Sequence, residues 1–175
     1  MVILITGASH AGKTLLAQRL LEKLSCPYFS IDHLKMGLIR SGNTRLTPED
    51  DEALTDYLWP IVREIMKTAI ENRQNLIVEG CYVPFRWRQD FDEGYLPHLR
   101  FLCLVMTERY IDAHFDEIRG HASDIEARLE DADCTADLLK AGNRSCLEGF
   151  RESGEAVTLI DGDYEGTIKT LLEGF

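Results

Sequence analysis

The run Gly7-Ala8-Ser9-His10-Ala11-Gly12-Lys13-Thr14 carries the most specific chemistry in the chain. Its two glycines let the backbone turn so that successive N–H groups face one hollow, and a helix opening at Lys13 adds the partial positive charge of its first turn. Such a hollow holds a polyphosphate. Lys13 reaches the β- and γ-phosphates, the Thr14 hydroxyl is the expected magnesium ligand, and the backbone from Gly7 through Ala11 completes the cradle. The bland reading is a chance match, with Lys13 a solvated helix residue. The flanking pattern, a strand before and an amphipathic helix after, is the context the motif requires. Ser9 and His10 fill variable positions, His10 as a tolerated spacer. The dinucleotide pattern G-x-G-x-x-G is absent.

Two carboxylates fall where an open α/β sheet binds ligands, at the C-terminal ends of short apolar runs. Asp32 ends the run that begins at Tyr28. It is the candidate to contact, and deprotonate, an acceptor hydroxyl, or else caps a helix starting at His33. Glu79 ends Leu76–Val78, where an acid is costly unless it meets a cation or a donor. It is expected to hold the acceptor or to orient a magnesium-bound water, with a structural salt bridge as the alternative. Phosphoryl transfer also needs mobile cations over the equatorial oxygens. Arg119 and Arg128 are candidates, although Asp116, Glu117, Glu126 and Glu130 stand beside them and ordinary surface pairing competes. Lys35, Arg40, Arg86 and Arg88 follow the second and third strands. If they face the cleft, the acceptor is anionic. Trp59, Phe85 and Trp87 either stack a base or sit in the core.

The elements that must position these groups alternate. Val2–Thr6 reads as a buried strand, and Leu16, Ala17, Leu20, Leu21 and Leu24 make 13–24 an amphipathic helix. Thr47 as cap with Pro48 at the first helical position opens a long helix reaching Asn72, kinked near Pro60. Further strands are expected at 76–78, 101–106 and 156–160, with helices at 107–118, 123–130, 135–150 and 166–172. Strands alternating with helices imply a parallel sheet covered on both sides. No repeat or linker divides the chain, so 1–175 reads as a single domain with a candidate lid at about 109–143.

With those residues in view, the sequence resembles the small-molecule and nucleoside monophosphate kinase branch of the P-loop proteins. Asp32-His33-Leu34-Lys35 is similar to the Asp-x-Leu-Arg stretch with which nucleotide kinases hold an acceptor. Leu76-Ile77-Val78-Glu79-Gly80 resembles the third-strand motif of zeta-toxin-like kinases, with Cys81 standing where those carry threonine. Gly80 through Arg86 is loosely like the Asp-Gly-Phe-Pro-Arg signature of nucleotide kinases, but longer. The resemblance implies an α/β three-layer sandwich with a five-stranded parallel sheet, the P-loop nucleoside triphosphate hydrolase fold with a helical lid. It also implies ATP and magnesium as cofactors and a small-molecule acceptor. Two further readings stay open: a nucleotide-responsive binding module without phosphotransfer, and a growth-inhibiting kinase of the zeta-toxin kind. The guanine signature Asn-Lys-x-Asp and the transporter signature Leu-Ser-Gly-Gly are both absent.

The bulk properties bound these readings. A chain of 175 residues can bury about 70% of its unfolded surface. A formal charge of −11 argues against nucleic acid or anionic membrane as the main partner. No leader or spanning segment is visible, so the cytoplasm is the expected compartment. The five cysteines, Cys26, Cys81, Cys103, Cys134 and Cys146, are scattered and read as reduced, with Cys103 in the core.

Overall fold

Alternation along the first strand decides the layering. In β1 (Val2–Gly7) every residue is buried. Val2 and Leu4 pack into one apolar cluster, and Ile3 and Ile5 into another on the opposite face. A strand buried on both faces must sit inside a covered parallel sheet. The computed structural model, which describes residues 1–121 and 134–175, shows that sheet. Its strands are β1, β2 (Tyr28–Ser30), β3 (Leu76–Glu79), β4 (Leu99–Met106) and β5 (Thr158–Ile160), in the spatial order β2-β3-β1-β4-β5 with every pairing parallel.

Helices cover both faces. On one side α1 (Lys13–Leu24) buries Leu16, Ala17 and Leu20 against Ile3, Ile5 and Ile77, joined by Ile111 of α4 (Glu108–Gly120) and Ile168 of α6 (Tyr164–Glu173). Each such Leu or Ile side chain contributes about 1.5–3 kcal/mol by leaving water. The other side takes α2 (Ile31–Arg40) and α3 (Asp51–Glu71), with Phe150 of α5 (Ala136–Glu152). Trp59, Trp87, Phe91 and Phe101 pack there, the last two flanking Trp87 at ring distances of 5.8 and 5.1 Å. Trp59 and Trp87 are therefore core, and Phe85, though half exposed, packs edge-on to Phe150 at 5.0 Å.

Several boundaries differ from the sequence expectation for identifiable reasons. Asp32 does not cap α2: the helix already begins at Ile31 after Ser30, and Asp32 lies in its first turn. Thr47 does not cap α3 either. The Asp50 carboxylate accepts from both the Thr47 N–H (2.7 Å) and its hydroxyl (3.0 Å), closing a turn, and the helix starts at Asp51. Pro60 lies inside that helix. A departure from helical geometry falls in α4, at His114 (φ −126°, ψ 19°), whose ring stacks on Tyr110 and bonds Glu117. β4 starts at Leu99, two residues early, and β5 at Thr158, two residues late. The helix expected at 123–130 lies outside the described residues.

Candidate active site

The sheet register assembles the site. Glu79 is level with Ile5 on one side and with Ser30 on the other, so these three side chains share a face, as does Tyr28 two residues back on β2. That face is the one α1 covers. One Glu79 oxygen accepts from the Tyr28 hydroxyl (3.0 Å) and the Ser30 hydroxyl (3.1 Å), and the other from Thr14 at 3.5 Å. Glu79 is 1% exposed. Burial pushes its carboxyl above the usual range, against the opposing pull of Lys13 and of the Tyr28 and Ser30 hydroxyls.

The loop between β1 and α1 is shaped by two glycines. Gly7 has φ +140°, and a Cβ there would meet the Leu104 carbonyl oxygen at 2.1 Å; β1 and β4 approach too closely for any side chain. Gly12, at φ +83°, is the residue before α1 and gives the helix no side-chain cap. The first helical N–H groups are thus left for a ligand. His10 adopts φ 63°, a conformation rare for a residue with a side chain. Lys13 is buried and donates to the Ala8 carbonyl at 2.8 Å. Burial alone would lower its pKa, but Cys81, Glu79 and Asp32 together raise it above the ordinary value. The ammonium is therefore charged and waiting.

A cavity of about 510 Å3 opens at this end of the sheet. On the side of β2 and β3 its wall carries Thr14, Asp32, Glu79 and Cys81; on the side of β4 and β5 it carries Arg19, Tyr110, Glu117, Ile118, His121 and Tyr164. The structure brings Gly12, Lys13, Thr14, Asp32 and Glu79 together, as the sequence implied. It does not bring the other cations. Lys35 donates to Asp32 (2.7 Å) and to the Tyr82 hydroxyl (2.8 Å), and its side chain is 12% exposed. Arg88 pairs with the buried Glu155 and stacks over Trp87. Arg40 and Arg86 are exposed and do not line the cavity, and Arg119 packs over the Phe115 ring. Arg128 lies outside the described residues. Of the expected lid, α4 supplies Tyr110, Glu117 and Ile118 to the wall.

Sequence reasoning missed Tyr28, Ser30 and Tyr164. The first two become visible only with the parallel register, which no local pattern states. Tyr164 follows Asp163, the α6 cap, at the end of the fifth strand, and that position was the available signal. Its hydroxyl lies 1.8 Å from where a Gly12 Cβ would stand, and burial pushes its pKa up to about 12.

Magnesium fits this oxygen chemistry. Among the described residues no cluster of three or more His, Cys, Asp or Glu could hold a metal by itself. The protein offers the Thr14 hydroxyl and a buried carboxylate short of positive charge. A cation that keeps several waters and takes phosphate oxygens needs no more.

No protein-family model matches the sequence, and no curated protein matches it. Solved structures do. A sugar kinase from Janibacter sp. HTCC2649 superposes with a TM-score of 0.55 at 20% identity, over 98% of this chain and 92% of that one. A putative kinase from Chloroflexus aurantiacus gives 0.58 at 16% identity, over 99% and 97%. The deoxyadenosine kinase of M. mycoides gives 0.54 at 17%, over 99% and 95%. The fold is the P-loop nucleoside triphosphate hydrolase fold, shared with these solved structures. In this fold the loop at 7–14, the tip of β3 and the start of α2 converge on one cavity.

Proposed function

We propose that the chain is an ATP-dependent phosphotransferase that moves the γ-phosphoryl group, with magnesium, to a hydroxyl of a small molecule in the cytoplasm. One observation carries the reading: Lys13 and Thr14, Asp32, and Glu79, from three separate places in the sequence, line a single cavity at the mouth of the glycine loop. A phosphate-binding module alone has no use for a carboxylate at the position of Asp32.

Each group then has a task. Loop N–H groups and Lys13 neutralise the phosphates as charge shifts toward the bridging oxygen. Thr14 and, through water, Glu79 would hold a magnesium ion, which would supply positive charge to the phosphate oxygens. The Asp32 oxygen not engaged by Lys35 accepts the proton of the attacking hydroxyl. Tyr110 and Ile118 supply apolar surface for the base.

The test is thermal stabilisation and ADP release across a panel of hydroxylated metabolites. A ligand at a hundred times its dissociation constant stabilises by about 2.7 kcal/mol, a shift easily measured. MgATP stabilises the wild-type chain, and Lys13→Ala loses that shift. Asp32→Asn keeps it but loses turnover by about 100-fold or more. Retained turnover in Asp32→Asn removes Asp32 from the chemistry, and unchanged stabilisation in Lys13→Ala removes the loop from nucleotide binding.

A further inference from the structure

Resting on the phosphotransferase reading, we infer that the acceptor is an uncharged hydroxyl compound, and that Lys35 positions Asp32 instead of binding an acceptor anion. The wall beside β2 and β3 presents two carboxylates, Asp32 and Glu79, with the Thr14 hydroxyl and the Cys81 side chain. Lys13 is the cation there, and it serves the phosphates while lying in the field of Cys81, Glu79 and Asp32. A carboxylate or phosphate entering this half of the cavity meets like charge. A hydroxyl meets acceptors.

Lys35, the cation paired with Asp32, is already committed. The Lys35 ammonium contacts one Asp32 oxygen and the Tyr82 hydroxyl, and it lies 4.9 Å from the centre of the Tyr82 ring. The Tyr82 hydroxyl in turn reaches Asp51 at the start of α3, 3.3 Å away. This chain fixes the Asp32 carboxylate from behind, across α2, the loop after β3 and α3. Lys35 itself does not line the cavity. Drawing the ammonium away toward an acceptor anion would leave Asp32 without this partner.

The experiment uses the full chain and measures ADP release at saturating MgATP with matched acceptors: a hexose, its aldonate and its 6-phosphate, and a nucleoside with its 5′-monophosphate. The uncharged member of a set exceeds its anionic partners in kcat/KM by about tenfold or more. Equal or better turnover of the anionic members overturns the inference and leaves the phosphotransferase reading standing. MgATP stabilisation without ADP release from any acceptor overturns that reading and this inference with it. In Lys35→Gln, with folding checked by the MgATP shift, kcat for the uncharged acceptor falls about tenfold while its KM stays within about twofold. Tyr82→Phe, a smaller change, acts in the same direction. A rise in KM alone would place Lys35 on the acceptor and overturn its positioning role.

Discussion

Glu79 shows how a single side chain can be costly to the fold and necessary to the site. Burial pushes its carboxyl above the usual range, so between the ordinary value and the raised one the native chain holds a proton that the unfolded chain has released. Stability of the metal-free protein therefore falls as pH rises through that window and stays lowered at neutral pH. Glu79→Gln keeps an oxygen to accept from Tyr28 and Ser30 and removes the charge. In a chelator at pH 7 this variant melts higher than the parent, and its melting temperature varies less over the acid range. Its turnover with MgATP falls by about 100-fold. A lower melting temperature would mean that attraction to Lys13 outweighs the burial of charge. The sequence made Glu79 conspicuous as an acid closing an apolar run, but not its hydroxyl partners, because Tyr28 and Ser30 are about 50 residues away.

Among the elements, those with a strong local signal were readable and those set by tertiary contact were not. β1, the glycine loop and α1 announce themselves through apolar alternation, two glycines and helical spacing. The starts of α2 and α3 do not, since each residue suited to capping is taken by a closer partner: Asp32 by Lys35, Thr47 by Asp50. The kink at His114 has no proline or glycine to mark it. α6 has a cap that does hold, with the Asp163 carboxylate accepting from Gly166 N–H at 2.9 Å. Asp163→Ala costs about 1 kcal/mol, measured by urea unfolding. Because Tyr164 follows directly and reaches toward Gly12, the same variant binds MgATP more weakly by titration calorimetry. Unchanged affinity would separate the α6 start from the nucleotide.

At the scale of the whole molecule, the parallel, doubly covered sheet was legible from the alternation of strands and helices, whereas the cleft's charge balance was not. Counting arginines and lysines near the acceptor side suggested an anion. In the folded arrangement Lys35 and Arg88 pair with internal carboxylates, Asp32 and Glu155. Which cations are consumed by the fold depends on contacts between distant segments, and composition carries no trace of it. The packing of the two faces also has an optical consequence. Both indoles, Trp59 and Trp87, belong to the cluster under α3, and neither lines the cavity. Tryptophan emission will track the melting of that face and stay almost constant as nucleotide is titrated. A flat fluorescence titration is thus the signature expected of a fully competent protein, and a large quench would mean that the far side of the sheet rearranges when the phosphates arrive.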